Sequence, residues 1–148
     1  MRPIITICAL LLCAQFTLFG CALGKKEWPS SQDSEDTFGL ELVVGDRQDN
    51  CLLLEVAISG AAERLYRASI QYEIVGGDNG GGCEGCPFVP RDAVHFTRDQ
   101  KDFALNGNNL TLSLCTLEPG TEYRFRVAGK SELPTSPLVY TDVYVTTP

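Results

Sequence analysis

The chain has 148 residues, of which 44% are hydrophobic and 21% charged, and its formal net charge at pH 7 is −7. A surface of that sign repels the phosphates of nucleic acids and anionic lipid head groups, so the composition argues against nucleic acid as a partner. The acidic residues are spread along the chain, and solubility is sufficient to account for them.

The first twenty residues have the character of an export signal. From Ile4 to Gly20 the sequence carries no charge, and Arg2 precedes this run as a minimal basic region. An apolar run of this length that ends in small residues is typical of a cleaved signal peptide. A signal anchor is the alternative, but the run is marginal for a span of ~20 apolar residues and no basic cluster flanks it. We therefore expect residues 1–20 to be removed.

The end of the apolar run indicates lipidation. Leu18-Phe19-Gly20-Cys21 resembles the lipobox of bacterial lipoproteins, in which a small residue precedes a cysteine that is acylated and becomes the new N-terminus. The alternative is that Cys21 is simply one more cysteine of the apolar run, like Cys8 and Cys13. The resemblance implies a membrane anchor through lipid on Cys21. Because Ala22 rather than Asp follows, it also implies an outer-membrane lipoprotein that faces the periplasm or the cell surface.

A polar segment separates the signal from a single domain. Residues 25–37 are polar and aperiodic, which is typical of an extended, solvated linker, so we assign residues 21–37 to the acylated cysteine and a flexible linker. Residues 38–148 remain, about 110 residues, which is enough for one modest core.

Within this domain apolar residues alternate with polar ones, and turn residues separate the runs. The pattern predicts an all-β fold of two sheets, a β-sandwich of about seven strands. The alternating positions are Leu40/Leu42/Val44, Leu52/Leu54/Val56/Ile58, Ala68/Ile70/Tyr72/Ile74, Leu110/Leu112/Leu114, Tyr123/Phe125/Val127 and Val139/Thr141/Val143/Val145.

One segment resembles a known family. Leu117-Glu118-Pro119-Gly120-Thr121-Glu122-Tyr123 is similar to the corner before strand F of fibronectin type III domains, where a Leu-x-Pro-Gly-Thr-x-Tyr run recurs, and residues 143–148 are similar to that family's last strand. The resemblance implies an immunoglobulin-like sandwich in which the Tyr123 hydroxyl forms a tyrosine corner. The family's tryptophan in the second strand is replaced here by Val56-Ala57-Ile58.

Four cysteines lie in the domain, and an even number in an exported protein suggests disulfides. In the fibronectin-like arrangement the strand from Cys51 runs antiparallel to the strand that ends at Cys115, which favours a Cys51–Cys115 bond on the outer face of one sheet. Cys83-Glu84-Gly85-Cys86 then has three interpretations: a local disulfide, which we favour, a thiol–disulfide redox site, or half of a metal site.

The sequence shows no catalytic constellation. His95 is the only histidine, and although Asp92 and Asp99 flank it, no nucleophile is evident and no serine lies in a Gly-x-Ser-x-Gly motif. We therefore predict a protein that is not an enzyme and holds no cofactor or metal. The candidate binding residues are those that the alternation places away from the core together with the apolar pair after the Cys-x-x-Cys: Arg124, Arg126, Tyr140, Tyr144, Phe88 and Val89.

The sequence thus predicts a non-enzymatic envelope lipoprotein that presents an interaction or structural module to an envelope protein. One alternative is a periplasmic thiol–disulfide or metal-binding factor that uses Cys83 and Cys86. Another rests on Cys21 followed by Gly24-Lys25-Lys26, which resembles small outer-membrane lipoproteins, some of which assist lipopolysaccharide-transport assembly.

Overall fold

A computed structural model describes residues 36–76, 82–83 and 85–146. The predictions of a signal peptide at 1–20 and of acylation at Cys21 lie outside these residues, and so does the predicted linker of residues 21–37 except for its last two residues. Within the described part of the chain, no helix is long and apolar enough to cross a membrane.

The described residues form two antiparallel sheets, so the prediction of an all-β fold is confirmed. One sheet has the strand order β1-β2-β6-β5, and the other has the order β4-β3-β7-β8, with β9 also paired to β7. This is the order of an immunoglobulin-like sandwich. The strands are β1 (Phe38–Gln48), β2 (Cys51–Gly60), β3 (Leu65–Ile74), β4 (Asp92–Thr97), β5 (Phe103–Asn106), β6 (Asn109–Leu114), β7 (Tyr123–Ser131), β8 (Val139–Tyr140) and β9 (Tyr144–Thr146).

The described residues form nine strands, against about seven predicted and six alternating runs named, for two reasons. β4 and β5 are short and have no clear alternation of apolar residues, so the sequence pattern does not reveal them. The last predicted strand is divided into β8 and β9, which both pair with β7. The division changes which side chains face the core.

A one-residue bulge between β8 and β9 reverses the alternation of the last strand. The register follows from the Cα partners Gly129↔Val139, Ala128↔Tyr140 and Phe125↔Tyr144. The β8–β9 side therefore has one residue more than β7 over this stretch, which moves every later side chain to the other face. Tyr144 points inward and stacks on Phe125, with ring centroids 6.1 Å apart, while Val145 is 55% exposed. The prediction that Tyr144 faces outward is wrong.

A second bulge lies in β1. Leu42 pairs with Val56, but Val44 pairs with Glu55, so Val44 turns outward and is 40% exposed instead of joining the core. Gly45 takes the inward place, where a Cβ would be in ordinary contact with Leu42, Phe125 and Leu54. The strand therefore continues through a Gly-Asp pair that the sequence suggests as a turn. The turn instead lies at Asp49-Asn50, with Asp49 at a φ of 53°.

The core lies between the two sheets, and the corner before β7 closes one end of it. Leu117 is buried there, and the backbone N–H of Glu118 donates a hydrogen bond of 3.1 Å to the Tyr123 hydroxyl, which is the geometry of a tyrosine corner. Gly120 has a φ of 74°, which a turn at Pro119-Gly120 requires. The largest side chains with almost no exposure are Leu52, Leu54, Leu65, Ile70, Leu110, Leu112, Val56 and Val127.

A disulfide joins the two central strands of the first sheet at the same end as this corner. Leu52 pairs with Leu114, so Cys51 and Cys115 are the next residues facing each other, and their sulfurs are bonded. The bond closes a loop with a sequence separation of 64. The Cys51–Cys115 prediction is confirmed.

We expect the double substitution of Cys51 and Cys115 by Ala to lower the free energy of unfolding by about 4 kcal/mol, because a loop of this length loses much entropy in the denatured chain when it is closed. Denaturant unfolding of the two proteins measures the difference. Peptide mapping without reduction should recover the two cysteines in one linked peptide, and a Cys51–Cys83 link would contradict the strand pairing.

Candidate functional site

The side chains that point away from the core on the second sheet form one continuous surface, which we call the outer face. Strand alternation places them there, because neighbours of each inward residue must point outward. The register sets Glu73 opposite Arg124 and Gln71 opposite Arg126. The outer face consists of Arg67, Ser69, Gln71 and Glu73 on β3, Arg124, Arg126, Ala128 and Lys130 on β7, His95 on β4 and Tyr140 on β8.

Arg124 is not a free surface residue, which corrects the sequence prediction. Its side chain is 10% exposed and that of Glu73 is 3% exposed, and the two form an ion pair. Both Nε and Nη2 of Arg124 donate to Oε1 of Glu73, the first over 3.0 Å. Two charges that are removed from water in this way require hydrogen bonds to all their polar atoms.

The glycine-rich loop between β3 and β4 supplies those bonds. Nη1 of Arg124 donates to the carbonyl oxygens of Cys83, over 3.2 Å, and Cys86, over 2.8 Å, and Nη2 donates to that of Pro87 over 3.3 Å. A Cβ on Gly82 would clash with the guanidinium group, so only glycine fits there. Arg124 thus holds the described part of the loop on the outer face, together with the backbone hydrogen bond from Gly82 to Ile74.

Three side chains next to Arg124 on the outer face form what we call the arginine–aromatic platform: Phe88, Arg126 and Tyr140. The Arg126 guanidinium carbon lies 4.0 Å from the centroid of the Tyr140 ring and 5.2 Å from that of Phe88. Its Nε donates to Oε1 of Gln71 over 2.8 Å. Nη1 and Nη2 of Arg126 have no partner among the described residues. The platform therefore presents a fixed guanidinium group with free donors, flanked by aromatic rings.

The outer face is basic although the protein is acidic. Arg67, Arg126 and Lys130 lie on it, and its one described acid, Glu73, is neutralised by Arg124. Two further acids flank it at the ends of β4: Asp92 and Asp99. A hydrogen bond from the Thr97 hydroxyl lowers the pKa of Asp99. Because opposite potentials attract, this local charge favours an anionic partner group at the platform.

His95 lies on the same face and has a partner that the sequence did not suggest. Its Nδ1 is 2.7 Å from the hydroxyl oxygen of Ser69 on the neighbouring strand. Ser69 is buried, and among the described residues no carboxylate is bonded to His95 to orient the ring. A nucleophile and base of the hydrolase type need an accessible hydroxyl and such an orienting group. The pair fits a polar contact across strands.

The Cys83–Cys86 pair is a disulfide in a turn, where the backbone N–H of Cys86 donates to the carbonyl of Cys83 over 3.0 Å. No helix begins after it in the described chain, so the helix N-terminus that lowers a thiol pKa in redox motifs is missing there. The described residues also contain no group of three or more side chains of the metal-binding types placed to hold an ion.

The sequence therefore located part of this site. Phe88, Arg126 and Tyr140 lie together, and Val89 beside them is 53% exposed. Arg124 is buried beneath the loop and Tyr144 belongs to the core. The sequence analysis missed Ser69, Gln71 and Glu73. The alternation of β3 contains their signal, because each is the outward neighbour of a predicted core residue: Ala68, Ile70 and Tyr72.

No protein-family model matches the chain, and no curated protein is significantly similar to it. Among solved structures the chain is similar to part of the chitinase ChiW from Paenibacillus sp. str. FPU-7, described as a bacterial cell-surface-expressed multi-modular enzyme machinery. The TM-score is 0.47, the sequence identity is 14%, and the similarity covers 87% of this chain and 10% of that one. The chain thus spans about a tenth of the chitinase, and such a likeness says nothing about substrate or activity.

We expect Glu73→Ala to lower the free energy of unfolding by about 3–5 kcal/mol, because it leaves the Arg124 charge buried without its counter-ion. Combining Glu73→Leu with Arg124→Met should restore most of this stability but release the loop, whose carbonyls then lack a donor. Denaturant unfolding measures the first effect, and faster hydrogen exchange at the amide of Gly82 measures the second.

The matched control is Arg64→Ala. Arg64 forms ion pairs with Asp36 and Glu132, but its side chain is 35% exposed, so water screens these pairs and its loss should lower the free energy of unfolding far less than the loss of Glu73 does. Equal losses for Glu73→Ala and Arg64→Ala would contradict the assignment of Arg124 and Glu73 as a desolvated pair.

Proposed function

We propose that this protein is a non-enzymatic interaction module of the bacterial cell envelope, anchored by lipid on Cys21, and that the outer face with its arginine–aromatic platform is its contact surface. The partner is a protein of the envelope. The fold beneath the platform is a fibronectin type III-like variant of the immunoglobulin-like sandwich, as the Leu117–Tyr123 corner suggests.

The observation that carries this proposal is the state of Arg126. Its guanidinium group is held by Gln71 and by two aromatic rings, yet Nη1 and Nη2 have no protein partner in the described part of the chain. Arginine and tyrosine are enriched at interfaces, because an ordered planar donor group and a rigid ring lose little conformational entropy on binding. Held in this way, the two nitrogens can exchange water for acceptors on a partner with little further loss of side-chain entropy.

The chemistry of the remaining groups supports binding over catalysis. The Ser69 hydroxyl is buried and the nitrogen nearest to it is Nδ1 of His95. A cleft of about 510 Å³ lies near the β2–β3 and β5–β6 connections, lined in part by Arg98. Arg98 donates to the backbone carbonyls of Ala62, Glu63 and Leu65, so its donors hold the connection together.

The thiol–disulfide alternative remains a prediction without a specific observation in its favour. Both cysteine carbonyls accept hydrogen bonds from Arg124, and no helix begins after the disulfide among the described residues. Thiol trapping in cells separates the two functions, because a redox factor must show a reducible, reactive Cys83–Cys86 pair and a structural disulfide must not. The roles in metal binding and in lipopolysaccharide-transport assembly also stay predictions.

We expect Tyr140→Ala and Arg126→Ala each to reduce the capture of an envelope protein from crosslinked membranes, because both remove part of the platform while the core stays intact. Quantitative mass spectrometry of the crosslinked material measures the loss. Leu53→Ala is the control, since Leu53 is 43% exposed on the opposite sheet and should leave capture unchanged. Loss with Leu53→Ala but not with Tyr140→Ala would place the interface on the other sheet.

For the anchor, we expect a palmitate analogue supplied to cells to label the wild-type protein and not Cys21→Ser. The substituted protein should appear in the soluble envelope fraction, because it lacks the acyl chains that hold it at a membrane. Mass spectrometry of the N-terminal peptide gives an independent readout. An unlabelled, water-soluble wild-type protein would rule out lipidation.

A further inference from the structure

A second arginine on the outer face has no partner among the described residues. Arg67 lies on β3 opposite Lys130 on β7, and its Nε atom is buried without a hydrogen-bond acceptor. Its Nη1 and Nη2 atoms are not enclosed in this way, so a ligand can reach them. A guanidinium group that has lost water without gaining an acceptor is unfavourable, and an incoming anion therefore finds part of the desolvation cost already met.

The acids at this end of the sheet do not neutralise Arg67. Glu132, just after β7, forms its ion pair with Arg64. Asp99 follows Thr97, the residue of β4 that pairs with Arg67, and its carboxylate accepts a hydrogen bond from the Thr97 hydroxyl. None of the ion pairs in the described part of the chain includes Arg67 or the lysine opposite it. We call Arg67 and Lys130 the cation pair.

The cation pair and the arginine–aromatic platform lie in line along the strands. Arg126 is four residues from Lys130 on β7, so the two positions are ~13 Å apart at a rise of ~3.3 Å per residue. The carbonyl of Ser136 accepts a hydrogen bond of 2.6 Å from Nζ of Lys130 and so holds this cation in place. Between the two positions the paired residues are Ser69 and Ala128, which are small and buried. A chain can therefore approach the sheet closely there.

We propose that the outer face binds an extended acidic segment of the partner protein, which runs along β3 and β7 and places one carboxylate at Arg126 and a second at the cation pair. The inference rests on the proposed function, because it names the chemistry that the contact surface recognises. An extended segment also rises ~3.3 Å per residue and points alternate side chains to the same side, so acids about four residues apart meet both positions.

The charge distribution favours such a segment over a densely anionic surface. The protein carries a net charge of −7, which repels a membrane or polysaccharide with many negative charges. Two localised cationic positions instead match a ligand with two localised carboxylates, and the planar guanidinium group can bind both oxygens of a carboxylate.

The first test separates a binding role of Arg67 from a structural one. We expect Arg67→Met to leave the free energy of unfolding unchanged or to raise it. Methionine keeps part of the aliphatic chain, and the substitution removes a charge that has no partner in the free protein. Denaturant unfolding measures the effect. A clear loss of stability would show that Arg67 serves the fold and would contradict the proposal.

The second test is a titration of the full-length protein with the peptide Glu-Thr-Ser-Thr-Glu, blocked at both ends, at low ionic strength. We expect the NMR signals of the Nε–H groups of Arg67 and Arg126 to shift. Replacing either glutamate of the peptide by glutamine should raise the dissociation constant several-fold, because one carboxylate–cation contact is lost. In Arg67→Met, replacing one of the two glutamates should have no effect, which a double-mutant cycle detects.

Lys101→Ala is the matched control, since it removes one positive charge from an exposed loop outside the outer face, and it should leave the dissociation constant unchanged. Absence of both shifts at millimolar peptide would overturn the proposal, and so would equal affinities in wild type and Arg67→Met. Binding to phosphatidylglycerol vesicles that Arg67→Met abolishes would overturn it in favour of a lipid phosphate. Partner capture in Tyr140→Ala tests the proposed function independently of these results.

Discussion

The ion pair between Arg124 and Glu73 is the interaction on which the outer face depends. A carboxylate and a guanidinium group removed from water lose several kcal/mol of hydration each, and their mutual attraction offsets this only when the remaining hydrogen bonds are made. Glu73 takes Nε and Nη2, so Nη1 must find acceptors elsewhere. The carbonyl oxygens of Cys83 and Cys86 in the loop accept its hydrogen bonds. A lysine at this position would offer a point charge without the planar set of donors that reaches three carbonyls at once.

This requirement explains the composition of the loop. A backbone can approach a guanidinium group closely only where side chains are small, and Gly82 packs directly on it. Gly85 has a φ of 79°, so a residue with a side chain would be strained in the turn that presents the carbonyls of Cys83 and Cys86 on the same side. The disulfide holds that turn closed. The Cys-x-x-Cys and the glycines thus act together to bring Phe88 over β7.

Some features of the fold and of the outer face can be predicted from the sequence, and others cannot. Alternation places Arg124 and Arg126 outside the core, and the Leu117–Tyr123 motif indicates the tyrosine corner, because both depend on neighbouring residues. The burial of Arg124 depends on a loop some forty residues earlier, which no local pattern shows. The orientations of Tyr144 and Val44 depend on single-residue bulges, and each bulge reverses a strand whose composition suits either face.

The charge of the protein shows why a global quantity does not predict a local surface. A net charge of −7 disfavours approach of a polyanion from a distance, but at physiological ionic strength exposed charges more than ~8 Å apart are largely screened. At contact, the relevant charges are those of Arg67, Arg126 and Lys130, which the sequence scatters and the pairing of β3 with β7 brings together. The acids that set the net charge lie mostly elsewhere among the described residues. An acidic protein can therefore present a basic contact surface.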